Sequence, residues 1–202
     1  MNIELINEEL KDARPEEIVT WALKNAKKPV ITTNFRPYEG AILNVVTEQS
    51  PSIDVLWCDT GYNTTQTYKH ATELIDILGL NIDLFVPKQT TAYRDHVIGV
   101  PSVDDPLHEV FTQQVKLEPF QRAMAKHKPD VWFTNLRKGQ TAFRDSIGIV
   151  SRSQDGVIKV SPFYNFSDAE LDAYLISKNL PNEFRYFDPT KVEATRECGL
   201  HK

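Results

Sequence analysis

Cysteine is scarce in this sequence: Cys58 and Cys198 are its two cysteines, and they lie far apart in a chain of 202 residues. Without a Cys-x-x-Cys pair, one chain cannot build a four-cysteine zinc or iron–sulfur site. A structural disulfide between the two is not expected in a reducing cytosol. Each cysteine is therefore to be judged by its own surroundings.

Long apolar runs are also missing, since none approaches the ~18 residues of a membrane-spanning helix. Residues 1–5 are acidic and amphipathic, with no basic segment before an apolar block, so we expect no signal peptide and a cytoplasmic protein. The net charge of −5 disfavours a surface that coats nucleic acid but permits a local basic pocket for a small anion. With 41% hydrophobic and 25% charged residues, the composition is that of a soluble globular protein.

Helix-prone and strand-prone segments alternate from residue 29 onward, which predicts one α/β domain over residues 1–202 with a mostly parallel, doubly wound sheet. Predicted strands cover residues 29–34, 53–58, 81–86 and 131–134, and predicted helices cover 3–11, 15–26, 38–48, 65–78, 119–128 and 168–177. Asp155-Gly156 predicts a hairpin turn within residues 148–159. Ser167 and Glu170 form a capping box for the last helix. The region between residues 87 and 118 gives no regular pattern.

In such sheets ligands bind beyond the carboxyl ends of the strands. Thr32, Thr33 and Asn34 end the first predicted parallel strand, where hydroxyl and amide donors suit a phosphate. The same residues are also good helix N-caps, and this alternative is the commoner one.

Residues 59–62, Asp-Thr-Gly-Tyr, follow the second strand. An acidic residue at this place commonly accepts hydrogen bonds from a ribose or base. Asp59 and Gly61 are equally typical of a plain turn, so both interpretations stay open.

Positive charge concentrates beyond the strand at 131–134, in Arg137, Lys138 and Arg144. In an acidic protein this local reversal indicates an anion site, because arginine grips phosphate or sulfate with two parallel hydrogen bonds. Scattered surface charge is the alternative for each residue taken singly, and a solvent-facing side chain is the alternative for Lys159.

Cys198 lies beside Arg196 and near His201, and a neighbouring cation lowers a thiol's pKa from about 8.5. On a mobile C-terminal tail such a thiol could attack a bound substrate and then meet a protein reductant. A buried, inert cysteine is the alternative, although Glu-Cys-Gly-Leu-His is poorly suited to a core. Cys58, in an apolar strand, is predicted simply to pack.

Several motifs together resemble the phosphoadenosine phosphosulfate reductases of assimilatory sulfate reduction, from about residue 15 onward. Residues 197–201 resemble that family's ECG-(I/L)-H signature, 59–62 with Thr67-Tyr68 its DTGY…ETY segment, 116–119 with Arg122-Ala123 its KVEP…RAL helix, 136–140 with Arg144 its LRR-x-Q…R loop, and 157–162 its strand before the last helix. Each is weak alone, and their order and spacing make the resemblance specific.

The resemblance implies an adenine nucleotide α-hydrolase-like fold and reduction of 3′-phosphoadenylyl sulfate to sulfite and adenosine 3′,5′-bisphosphate. It implies a cysteine S-sulfonate intermediate, thioredoxin or glutaredoxin as electron donor, and a homodimer. Catalytic roles are implied for Cys198 and His201, and substrate binding for Thr32, Thr33, Asn34, Phe35, Asp59, Gly61, Arg137, Lys138, Gln140, Arg144 and Lys159. Sister enzymes that reduce adenylyl sulfate carry an iron–sulfur cluster on extra cysteines, so the cysteine count favours the cluster-free branch, with no bound cofactor.

Two features depart from the family pattern. Its phosphate loop reads Ser-x-Ser-Phe-Gly, whereas Arg36 and Pro37 follow Phe35 here, and loss of the glycine hinders close backbone approach to a phosphate. The segment before the signature is also short, within a tail that we place at residues 182–202. A non-catalytic nucleotide-binding protein on the same scaffold is therefore an alternative. An ATP pyrophosphatase is a further one, although its Ser-Gly-Gly-x-Asp-Ser loop is absent.

Overall fold

The computed structural model describes residues 2–191, and within them a six-stranded sheet forms the centre of the fold. The strands are β1 Pro29–Thr33, β2 Asp54–Cys58, β3 Asn81–Phe85, β4 Val131–Phe133, β5 Val150–Arg152 and β6 Ile158–Val160. Their order is β3-β2-β1-β4-β6-β5, and all neighbours pair in parallel except β5, which is antiparallel to β6. The predicted α/β class with a mostly parallel sheet is confirmed.

Each of the six predicted helices is present, with ends within one residue of the prediction, and further helices are found. The described helices are α1 Ile3–Leu10, α2 Pro15–Asn25, α3 Glu39–Thr47, α4 Thr65–Leu78, α5 Thr91–Val97, α6 Leu107–Thr112, α7 Glu118–His127, α8 Ala142–Asp145 and α9 Asp168–Ser177. A π-helical turn, Gln113–Leu117, joins α6 to α7. No prediction covered α5, α6, α8 or this turn, because elements of four to seven residues carry too few periods of apolar spacing to be recognised.

Helices cover both faces of the sheet and bury the apolar side chains that its central strands point to each side. Neighbouring side chains of β1 point to opposite faces: Ile31 packs in a large core with α2, α3, α4 and α9, and Val30 packs in a smaller core with α7. β4 divides in the same way between Phe133 and Trp132. Because both faces are buried there, central strands carry consecutive apolar side chains, as in Val55-Leu56-Trp57 of β2 and Val131-Trp132-Phe133 of β4.

The β5 edge of the sheet is covered by α1. The Asn7 side chain donates to the Val150 carbonyl at 2.8 Å and accepts from the Val150 amide at 2.9 Å, so it takes the place of a further strand. The predicted hairpin between β5 and β6 turns at Asp155-Gly156, where Gly156 has a φ of 87°. None of the helices within residues 2–191 is both long and apolar enough to cross a membrane.

Candidate active site

The carboxyl ends of β1, β2 and β4 open into a cleft. Polar side chains from three loops reach it, and Cys58, Phe120 and Trp132 form much of its apolar wall. Its position is the usual ligand site of an open α/β sheet. Of the residues predicted from sequence, Thr32, Thr33, Asn34 and Arg144 line this cleft.

The loop after β1 winds around the carboxylate of Glu39, the first residue of α3. The Thr33 hydroxyl donates to Glu39 Oε2 at 2.7 Å, the Asn34 amide donates to the same oxygen at 2.8 Å, and Arg36 Nε donates to Oε1 at 3.0 Å. The N-cap of α3 is Tyr38, whose side chain makes no capping bond. The loop residues therefore do not cap the helix as their types suggested; they bind an acidic side chain of the helix.

Phe35 lies beside this loop but points into the core. Its ring packs edge-on against Trp57 with centroids 4.9 Å apart, and its side chain is buried. Thr32 faces the cleft and accepts a hydrogen bond from Trp132 Nε1 at 2.9 Å.

The Asp59 carboxylate closes the turn after β2. Its Oδ1 accepts from the Gly61 amide and from Asn63 Nδ2, each at 2.9 Å, and Tyr68 donates to both oxygens at 3.1 Å. Gly61 has a φ of 81°, and a Cβ there would lie 2.5 Å from Thr91 Oγ1, so the turn needs glycine. Thr60 and Asn63, rather than Asp59 and Gly61, line the cleft.

The basic residues beyond β4 separate into different surroundings. Arg137 is buried beside Tyr38, 5.2 Å from the ring centre, and its NH1 donates to Asp168 at 2.6 Å. Lys138 is exposed, while Arg144 is buried against the cleft and its NH1 contacts Gln140 Oε1. The predicted cluster of Arg137, Lys138 and Arg144 thus brings one arginine to the cleft.

Lys159 lies in β6, level with Trp132 of β4, and its side chain is 4% exposed. The solvent-facing alternative for this lysine is wrong, because both faces of the sheet are covered at this strand. It does not line the cleft wall.

Five charged residues that line the cleft were not singled out as site residues in the sequence: Arg36, Glu39, Lys116, Asp188 and Lys191. Lys116, from the π-helical turn, contacts Asp188 Oδ2 at 2.5 Å and Thr190 Oγ1 at 3.2 Å, and all three side chains are buried. Burial opposes ionisation of Asp188, yet Lys116 and the hydrogen bonds from Thr190 outweigh it, so the pKa of this carboxyl is lowered. Lys116 belongs to a motif that the resemblance had picked out, whereas no local pattern indicated Asp188.

Residues 182–191 lie across the cleft. Asn182 Oδ1 accepts from the Tyr38 amide at 2.9 Å, and the Arg185 carbonyl accepts from the Thr64 hydroxyl at 2.7 Å. Tyr186, Phe187, Asp188 and Lys191 line the cleft. Cys198 and His201, together with the predicted mobility of the tail around them, lie outside the described residues.

The Cys58 thiol lines the cleft but is suited to packing. Burial raises its pKa to about 12, against the smaller opposing effects of Arg122 and Lys116. A thiol with such a pKa stays protonated at neutral pH and is a poor nucleophile. Across residues 2–191 no three His, Cys, Asp or Glu side chains converge as a metal site would require.

A doubly wound sheet whose strand ends form a cleft with hydroxyl, amide and cationic side chains is an architecture typical of nucleotide-binding α/β proteins. The profile described as the phosphoadenosine phosphosulfate reductase domain matches residues 28–187. The chain is 32% identical to phosphoadenosine 5′-phosphosulfate reductase from Aliivibrio salmonicida over 98% of this chain and 87% of that one. It is 30% identical to the enzyme of that name from Xylella fastidiosa, over 100% of this chain and 94% of that one. The chain belongs to the phosphoadenosine phosphosulfate reductase family.

Solved structures agree on the fold. The crystal structure of phosphoadenylyl-sulfate reductase from Candida auris, a phosphate complex, superposes with a TM-score of 0.78 at 23% identity, covering 89% of this chain and 87% of that one. NH3-dependent NAD synthetase from Campylobacter jejuni superposes with a TM-score of 0.58 at 12% identity, covering 91% and 76%. The predicted adenine nucleotide α-hydrolase-like fold is confirmed.

Proposed function

We propose that this protein reduces 3′-phosphoadenylyl sulfate to sulfite and adenosine 3′,5′-bisphosphate in sulfate assimilation. The observation that carries the proposal is similarity to reductases of this name along essentially the whole chain. The cleft at the carboxyl ends of β1, β2 and β4 supports it, because nucleotides bind at this place in open α/β sheets. Thioredoxin or glutaredoxin is the proposed electron donor, and a cytoplasmic homodimer is the proposed working form.

The proposed reaction needs one thiolate and one dithiol. The Cys198 thiolate attacks the sulfur of the sulfonate, the bond from sulfur to the phosphate oxygen breaks, and adenosine 3′,5′-bisphosphate leaves. A thiolate of the donor then attacks Cys198 Sγ, so that sulfite leaves with the electron pair and a mixed disulfide forms. The donor's second thiol displaces Cys198, which leaves the donor oxidised to its disulfide. His201 is the proposed second catalytic residue.

Among the predicted ligands, we propose Thr32, Thr33, Asn34 and Arg144 as substrate-binding residues because they line the cleft, and we add Lys116. Cationic groups there would offset the charge that develops on the leaving phosphate. Asp59 and Gly61 would support substrate binding indirectly, by shaping the loop after β2. Gln140 would do so by holding Arg144. We propose that substrate binding also depends indirectly on four residues outside the cleft wall: Phe35, Arg137, Lys138 and Lys159.

The chain path supports Cys198 as the nucleophile. Asp188 is held against Lys116 in the cleft, and Cys198 follows ten residues later. A segment of that length spans at most about 35 Å when fully extended. This length allows Cys198 to reach the cleft, and we propose that residues 182–202 are the part of this single domain that delivers the thiol to the substrate.

One observation favours a second candidate, a nucleotide-binding protein without catalysis. The loop after β1, whose backbone in a phosphate-binding protein would face the ligand, binds the Glu39 carboxylate instead. The test must therefore separate binding from chemistry.

Incubation with 3′-phosphoadenylyl sulfate in the absence of reductant, followed by intact-mass measurement, makes this separation. We expect a mass increase of one SO3 group, because without a donor the S-sulfonate persists. The increase should vanish in Cys198→Ser and persist in Cys58→Ser, the matched control at the protonated thiol. Saturable nucleotide binding without any adduct would contradict the reductase and support the second candidate.

A further inference from the structure

The loop between β1 and α3 already holds an anion, and that anion belongs to the protein. The Glu39 side chain is 5% exposed, yet it borders the cleft. A backbone amide, a hydroxyl and a guanidinium converge on it from Asn34, Thr33 and Arg36. These are the donor types that a phosphate or sulfate would recruit at the start of a helix.

The backbone amides of the loop are engaged elsewhere as well. Besides Asn34, the Phe35 amide donates to Thr33 Oγ1 at 3.0 Å, the Tyr38 amide donates to Asn182 Oδ1 at 2.9 Å, and the Glu39 amide donates to the Arg36 carbonyl at 3.2 Å. Pro37 has no amide hydrogen. A phosphate arriving at this loop would thus find these four donors in use.

The Asn34 side chain completes the arrangement. The orientation of its amide that satisfies both neighbours points the nitrogen at the Glu39 carboxylate, 3.0 and 3.1 Å from its two oxygens, and lets its oxygen accept from the Tyr186 hydroxyl at 2.7 Å. The carboxylate is thus linked through Asn34 to the segment that crosses the cleft.

Arg36 stands where the family pattern has glycine, and its side chain joins two loops. Its NH2 donates to the Asn135 carbonyl at 2.8 Å while its Nε holds Glu39, so one side chain ties the loops after β1 and β4 together. Phe35 and Tyr38 take the positive φ angles of the loop, 53° and 69°. Arg36 and Glu39 therefore act as a pair, in which the carboxylate satisfies a cation that would otherwise face the cleft.

We propose that Glu39 determines specificity by occupying the anion position of this loop, so that phosphate and sulfate groups are excluded from the donors of Thr33 and Asn34. A ligand can then place an uncharged group against the loop, and its anionic groups bind elsewhere in the cleft. The inference does not depend on the reaction proposed above, because it concerns the loop in the protein without substrate.

Titration of 15N-labelled protein with inorganic phosphate at constant ionic strength tests the proposal, with the Asn34 backbone amide as the reporter. In the wild type we expect no saturable shift of this resonance. In Glu39→Gln, which keeps the shape but removes the like charge, we expect a saturable shift and an affinity for phosphate at least roughly tenfold above that of the wild type. Glu39→Asp, which keeps the charge, should behave as the wild type.

Glu170→Gln is the matched control, since Glu170 also accepts a backbone amide at a helix start but lies outside the cleft. It should leave phosphate binding unchanged. A saturable shift of the Asn34 resonance in the wild type would overturn the proposal. The wild-type measurement decides this even if Glu39→Gln does not fold. Because no substrate turns over, the outcome is separate from that of the mass measurement.

Discussion

The Lys116–Asp188 pair joins two residues that are 72 positions apart, and both side chains are buried. Removing one partner of a buried ion pair leaves a charge without compensation, which costs about 3–5 kcal/mol. We expect Asp188→Asn to lower the free energy of unfolding by that amount at pH 7, measured by urea denaturation. In Lys116→Met/Asp188→Asn the buried, unpaired ammonium of Lys116 is also removed, so the double variant should be more stable than Asp188→Asn alone. A double variant whose loss of unfolding free energy equals the sum of the losses of the two single variants would contradict this expectation.

Lys126→Met is the matched control for burial. Lys126 contacts Asp83 at the same 2.5 Å, but its side chain is 60% exposed. Exposed pairs contribute about 0–1 kcal/mol, so this variant should unfold close to the wild type.

The same pair predicts a dependence of stability on pH. The pKa of Asp188 is lowered in the folded protein from an ordinary value of 3.8, so its contribution is complete above that pH. It is lost as the pH falls below 3.8 toward the folded pKa, because the unfolded chain then binds the proton more readily. We expect the unfolding free energy of the wild type to fall more steeply below pH 4 than that of Asp188→Asn. Parallel profiles would show that the carboxyl is not held ionised.

At the scale of single elements, α9 begins with the Ser167–Glu170 capping box that the sequence predicted. Ser167 Oγ accepts from the Glu170 amide at 3.3 Å, and loss of an N-cap hydroxyl costs about 1 kcal/mol. We expect Ser167→Ala to lower the unfolding free energy by this amount. Ser177→Ala, at the exposed C-terminal end of the same helix, should change it by less than about 0.5 kcal/mol. Equal losses at both ends would show that the cap does not stabilise the helix.

Elements defined by neighbouring residues could be predicted, as could the α/β class. The capping box, the Asp155-Gly156 turn and α4 all depend on contacts within a few positions. Contacts between distant segments could not be predicted: Glu39 within the loop after β1, and Asp188 on Lys116, depend on how the chain folds back. For the same reason the sequence could group Arg137 with Arg144 but could not show that Asp168 holds one of them away from the cleft.

At the scale of the whole molecule, stability depends on the core that the sheet shares with its larger helical layer. Phe133 in β4 is fully buried there, and truncation of such a ring costs about 3–5 kcal/mol. We expect Phe133→Ala to lower the unfolding free energy within this range. Phe184→Ala should lower it by less than about 1 kcal/mol, since that ring is 63% exposed. Similar losses for both would contradict the assignment of the core.

The strand order has a consequence for synthesis on the ribosome. β1 is central, but one of its two neighbours, β4, follows far later in the chain: Trp132 and its hydrogen-bond partner Thr32 are 100 residues apart. While β2 and β3 can pair with β1 as they emerge, the other side of β1 remains an open edge until β4 appears. Such late pairings slow folding and leave apolar strand surface exposed meanwhile. We therefore expect the strands β1 to β3 to keep an unpaired apolar edge until β4 has been synthesised.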